Sequence, residues 1–221
     1  MPAWTDQPIH FIDFEGNRRS GILEYGIATV RGGRVESAST RLCAPLGRVM
    51  ADETAVHGLA EGDLAGAAPF SDEWPAFCAL RASGPLAAHF AGVENGLIKS
   101  VWPYPPASPD FATPGASLVD WGPWIDTAAL YAELYPNFPS LALGELVASM
   151  GLQAELDELA ARHCPEPRRR YHAALYDALA GALLLAVLAR TPAAGLGLAE
   201  LLALSTRSGE RRDELRQGTL F

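Results

Sequence analysis

The sequence is short of cysteine, of positive charge and of long apolar runs, and each shortage removes a class of protein. Three cysteines, Cys43, Cys78 and Cys164, are scattered through 221 residues. An odd number with no C-x-x-C pair suggests neither a disulfide framework nor a zinc site, and a reducing cytoplasm is the simplest home. Lysine and arginine total 17 against 26 aspartates and glutamates, a formal net charge of −9. Such an acidic chain is poorly suited to tight, sequence-blind wrapping of nucleic acid. It leaves room for an enzyme that needs only local positive charge and releases its substrate after each turnover. No secretory signal opens the chain, because Trp4 and Asp6 interrupt the short first segment. The longest apolar run, from Ala178 to Ala189, is too short to span a bilayer. With 49% hydrophobic and 19% charged residues, the composition is that of a globular protein. The length suits one domain with a sizeable core.

The rest of the chain is organised around Ile9-His10-Phe11-Ile12-Asp13-Phe14-Glu15-Gly16. A short apolar run rich in Ile and Phe and closed by Gly predicts a buried strand. Side chains alternate along a strand, so Asp13 and Glu15 share one face and Phe14 takes the other. Two carboxylates held that close repel, and burial raises their pKa values. A divalent cation between them resolves the conflict, and oxygen-only ligation points to Mg²⁺ or Mn²⁺. A strand end whose two acids point into water is the plainer alternative.

Further strands are predicted over Ile22–Val30 and Val35–Leu42, joined by the hairpin turn Arg31-Gly32-Gly33-Arg34. A short helix over Ala51–His57 is stopped by Gly58. Phe70–Ser83 reads as a longer helix, with Ser71 as cap and Pro75 in the first turn. Leu86–Phe90 is a short buried strand, and Gly92–Val101 a helix that carries Glu94. Residues 102–123 are proline-rich and aperiodic, which predicts an irregular insertion with a strand at Ser117–Trp121. Helices follow up to Leu134, over Leu141–Met150 behind a Ser140 cap, and over Leu152–Arg162. A rigid basic loop, Pro165 to Arg170, leads into a long helix from Tyr171 to about Arg190, and a last helix covers Leu196–Leu204. The charged residues 205–221 read as a mobile tail.

Three stretches then carry a resemblance. Phe11-Ile12-Asp13-Phe14-Glu15 resembles the first motif of the DnaQ-like DEDD exonucleases, within the ribonuclease H-like fold. Ala88-His89-Phe90-Ala91-Gly92-Val93-Glu94 is similar to their second motif, and His172-Ala173-Ala174-Leu175-Tyr176-Asp177 to the H-x-x-x-x-D third motif of the histidine branch, DEDDh. Each motif alone is weak; the ordered set is specific. The resemblance implies an α/β fold with a mixed five-stranded sheet, one strand antiparallel, flanked by helices. It spans about Pro8 to Arg190, so residues 1–204 are expected to form the exonuclease domain.

The resemblance further implies a metal-dependent 3′-to-5′ exonuclease. Asp13, Glu15 and Asp177 would bind two Mg²⁺ or Mn²⁺ ions, which in such sites lie about 3.5–4 Å apart. The fourth acid falls at Glu94, where the family has aspartate; the extra methylene adds about 1.5 Å of reach. His172 would take a proton from the attacking water. Five residues of helix separate two side chains by about 140°, so His172 can meet Asp177 only from the loop–helix junction.

His57 and Phe14 are placed near the substrate by resemblance, His57 alternatively making a helix C-cap contact. Arg168, Arg169 and Arg170 either meet backbone phosphates or are simply solvated. His89 reads as a structural histidine satisfied by backbone. Trp102, Tyr104, Trp121 and Trp124 read as anchors of the insertion rather than stacking platforms. Finally, Gln217-Gly218-Thr219-Leu220-Phe221 resembles the Q-x-x-L-F peptide with which bacterial replication and repair proteins dock on the sliding clamp. That peptide favours DNA as substrate and a role in repair or in proofreading in trans. The alternatives are a non-catalytic module of the same fold and an RNA-trimming exoribonuclease.

Overall fold

The computed structural model describes residues 3–206. β1 (Ile9–Asn17), β2 (Gly21–Arg31) and β3 (Arg34–Leu42) form an antiparallel meander. After α1 (Ala51–His57) and α2 (Trp74–Ser83) comes β4 (Leu86–Ala88), then α3 (Ala91–Val101). The insertion holds a two-stranded ribbon, β5 (Ser108–Pro109) with β6 (Ser117–Leu118). β7 (Ile125–Asp126) runs directly into α4 (Thr127–Leu134), followed by α5 (Leu143–Ser149), α6 (Gln153–His163), α7 (Ala174–Leu188) and α8 (Leu198–Leu204). The main sheet has five strands in the order β3-β2-β1-β4-β7. β4 and β7 run parallel to β1, and β2 alone is antiparallel to its neighbours, as expected of the ribonuclease H-like fold.

Alternation along β1 divides the core in two. Ile9 and Phe11 face an aliphatic layer built from α7 with α4, α5, α6 and α8. Ile12 and Phe14 face an aromatic layer of Phe70, Phe77 and Trp121, closed by α2 and α3. Helix α7 is almost wholly buried and packs across β1, β2 and β3. It sits close because Gly26 and Gly181 lack side chains. A Cβ on Gly26 would lie 2.3 Å from the Ala174 carbonyl carbon, and one on Gly181 would lie 2.0 Å from the Phe11 ring. The odd-numbered face of β1 therefore looks onto the start of α7.

Several local expectations need correction. Residues Phe70–Glu73 form a 3-10 turn, so α2 begins at Trp74 and Ser71 does not cap it. β4 ends at Ala88 because Phe90, at φ 60°, takes the left-handed conformation that turns the chain into α3. Ser140 accepts a bond from the Ala142 amide two residues too early to cap α5. Within the insertion only Ser117–Leu118 are strand; Trp121 is buried and donates its Nε1 proton to the Trp102 carbonyl. Trp124 donates to Asn95, while Tyr104 stays 67% exposed. An unanticipated anchor is Arg81, which is buried and donates to the carbonyls of Pro109, Asp120 and Gly122. One guanidinium thus satisfies three carbonyls of an aperiodic segment.

Candidate active site

The site forms where the C-terminal end of β1 meets the first turn of α7. Glu15 and Asp177 are buried there, Asp13 is half-buried, and His172 lies exposed on the loop before α7. Carboxylate oxygens of Glu15 and Asp177 and a ring nitrogen of His172 lie within 4.8 Å of one another. Asp13 and Glu94 stand outside that tight group and act on it through charge. Glu94, on α3, is buried, and its Oε2 accepts the Phe14 amide at 3.0 Å. The longer glutamate thus binds the strand backbone itself.

His172 occupies the junction its spacing demands, since α7 begins only at Ala174. Its backbone is left-handed, at φ 60°, an uncommon conformation for a residue with a side chain. The His172 amide donates to Asp177 Oδ2 at 2.9 Å. The other Asp177 oxygen, Oδ1, is buried without a partner.

Four acids held together and away from water resist ionisation. Burial first, then the neighbouring charges of Asp177 and Glu24, push Glu15 up to about 8. Glu94 also rises to about 8, chiefly through burial and against the lowering effect of the Phe14 amide. Asp177 rises to about 7, again mainly through burial. Asp13 is raised well above the ordinary range by burial and by Glu94, Asp177 and Glu15. An unpartnered carboxylate oxygen among mutually repelling acids fits a divalent cation, which would satisfy the oxygen and lower every one of these pKa values.

The remaining expected residues fall around this centre. The Phe14 ring is buried against Phe70 and Phe77 on the opposite face, so only its amide serves the site. His57 is buried at the end of α1, where its Nδ1 accepts the Leu59 amide; this is the C-cap contact. With Nδ1 accepting, the ring proton sits on Nε2, which is buried without a partner. His89 bonds the Thr127 hydroxyl and the Leu141 carbonyl.

The three arginines differ. Arg169 bonds the carbonyls of Ala161 and Cys164 at the end of α6. Arg170 places one nitrogen on the His57 carbonyl. Arg168 is turned inward onto Glu24, a buried β2 acid opposite Glu15 in the strand register. Sequence reasoning missed Glu24; its signal was a lone acid within the apolar run from Ile22 to Val30. Gln217, Leu220 and Phe221 lie outside the described residues.

The sheet order, with acids at the end of its first strand, is that of the ribonuclease H-like fold. Solved structures bear this out. Exonuclease X in complex with 5′-overhanging duplex DNA superposes with a TM-score of 0.66 at 22% identity, over 90% of this chain and 99% of that one. The nuclease domain of 3′hExo, a DEDDh family member bound to rAMP, gives 0.61 at 13% identity, over 88% and 96%. Exonuclease I from Methylocaldum szegediense gives 0.63 at 14% identity, over 94% of this chain but 44% of that one. No protein-family model matches the chain, and no curated protein does at significant similarity. Among the described residues, no helix is long and apolar enough to cross a membrane.

Proposed function

We propose that the protein is a divalent-metal-dependent 3′-to-5′ exonuclease. The observation that carries this reading is the meeting of Glu15, Asp177 and His172 within 4.8 Å, around a carboxylate oxygen with no partner. Asp13, Glu15 and Asp177 would hold the metal ions, with Glu94 behind them. Bound there, Mg²⁺ or Mn²⁺ supplies the positive charge that acidifies a water and offsets charge developing on the departing 3′ oxygen.

The chain's own residues do the rest. Water adds to the terminal phosphorus, the bond to the 3′ oxygen breaks, and a nucleoside 5′-monophosphate leaves a strand one nucleotide shorter. His172, exposed and beside the acids, takes the proton of the attacking water on its imidazole nitrogen. Arg170, exposed and close enough to lower the pKa of Glu15, is the cation offered to the incoming end, whereas the His57 ring is buried.

DNA is the favoured substrate. Exonuclease X was solved on duplex DNA with a 5′ overhang, and the C-terminal Gln217-to-Phe221 peptide suits a clamp that encircles DNA. Held to such a clamp, the enzyme would work at a raised local concentration despite its acidic surface. Asp13→Ala is expected to cut Mg²⁺-dependent digestion of a 3′-labelled oligonucleotide on the order of 10⁴-fold. Unchanged activity in the purified variant would overturn the assignment. The Glu94 bond to Phe14 favours one second reading, a binding module that kept the fold without catalysis; two Mn²⁺ ions in soaked crystals would favour the enzyme, and none would favour the module.

A further inference from the structure

Arg168 stands beside the site, yet its guanidinium is committed inward. Its Nε and Nη2 make a forked pair with the two oxygens of Glu24, the Nε bond at 3.2 Å. Its Nη1 donates to the His57 carbonyl at 2.5 Å, and Nη2 also reaches the His172 carbonyl at 3.3 Å. Glu24 in turn accepts the Ala174 amide, the first of α7, at 3.1 Å. Glu24 is 2% exposed and cannot touch a substrate. One ion pair, its acid buried and its guanidinium half-buried, therefore joins β2, the end of α1, the loop before α7 and the first amide of α7.

This junction surrounds a residue in an unfavourable backbone state. His172 has φ 60°, and such conformations persist only where the surroundings over-determine them. Both of its backbone groups are held: the amide by Asp177 and the carbonyl by Arg168. Asp177 is itself committed to the site, so the Arg168–Glu24 pair is the clasp independent of it. Like acids opposed across two strands, Glu15 and Glu24, would otherwise repel; Arg168 lets the second acid stand there.

We infer that Glu24 and Arg168 are positioning residues that fix His172 in its left-handed conformation over the acids, and that Arg168 is not a phosphate contact. This rests on the exonuclease reading. The three arginines then divide the work: Arg168 sets the geometry, Arg169 closes α6, and the exposed Arg170 remains for a phosphate.

The experiment compares Glu24→Gln, Arg168→Lys and the uncharged pair Glu24→Gln/Arg168→Met with wild type, each alone and in a His172→Ala background. Lysine keeps the charge and loses the fork. The expected result is a kcat lower by about 10²-fold with KM and its salt dependence unchanged, and no further loss once His172 is absent. A rise in KM that weakens with salt, or an equal loss with and without His172, would overturn the clasp.

Amide hydrogen exchange supplies a readout that needs no turnover. In Glu24→Gln, protection should fall over residues 171–175 while β1 and the body of α7 keep theirs. Unaltered exchange there overturns the clasp even if the protein proves not to be a nuclease. Activity that survives Asp13→Ala sinks the exonuclease reading instead. The uncharged pair guards against misfolding, since replacing both charges leaves no ion unpaired.

Discussion

The two ends of β1 bury polar groups in opposite ways. At its start, His10 is buried with both ring nitrogens engaged, Nδ1 by the Thr29 hydroxyl and Nε2 by Ser83. At its far end, Glu15 and Asp13 meet further acids, and a carboxylate oxygen of Asp177 has no partner at all. A second contrast repeats the first. Asp126 heads α4 and accepts four amides, those of Phe90, Ala91, Ala128 and Ala129. Asp177, in the first turn of α7, accepts one from His172. His10 and Asp126 have their polar groups satisfied by the fold; Asp177 does not, which is the gap the proposed metal would fill.

Of the changes that test this contrast, Asp177→Asn should have the largest effect. Neutralising the unpartnered acid should lower nuclease activity on the order of 10³-fold while raising the melting temperature of metal-free protein at pH 8 by a few degrees (about 2–4 °C per kcal/mol). A variant that is both inactive and less stable would break the contrast with Asp126, since it would make Asp177 a structural acid too.

Next in size is the pH dependence of stability without metal. Glu15, Glu94 and Asp177 titrate at about 8, 8 and 7 in the fold, against 4.5, 4.5 and 3.8 ordinarily. Between those limits the native state binds more protons than the unfolded chain, so stability is greatest on the acid side and is lost as pH rises toward 8. Calorimetry in a chelator should show melting temperature climbing as pH falls from 8 to about 5. Mg²⁺ should raise it most at pH 8 and flatten the slope.

The opposite end of the strand predicts the opposite sign. Burial, with Arg31 nearby, lowers His10 to about 4 from its ordinary 6.5. The unfolded chain then binds the extra proton, and stability falls as pH drops from 6.5 toward 4. His10→Gln should remove that acid limb and leave the alkaline one. The smallest effect is His10→Ala, expected to cost about 2 kcal/mol in denaturant unfolding and to leave turnover per folded molecule unchanged.

Much of this was legible in the chain. β1, β2 and β3 are long enough for their apolar patterns to outweigh local noise, and the five-residue step from His172 to Asp177 calls for a histidine at the loop–helix junction, although the helix expected from Tyr171 begins only at Ala174. What escaped were pairs whose members lie far apart. Arg168 reads as part of a basic loop because its partner, Glu24, is 144 residues away. Arg81 looks like one more surface cation in α2, and nothing local reveals that it will hold the insertion. Ser71 and Ser140 failed as caps for a local reason: each helix starts three residues beyond its serine, at Trp74 and Leu143.

One consequence follows from the empty position at residue 26. Gly26 is paired with Asp13 on β1 and lies beneath the backbone of Ala174. A single methyl there would act as a wedge, lifting the front of the helix off its bed and carrying its aspartate away from the strand. The spacing between strand and helix is gauged by a hydrogen atom, so a residue with no side chain decides whether the acids of β1 and α7 can meet.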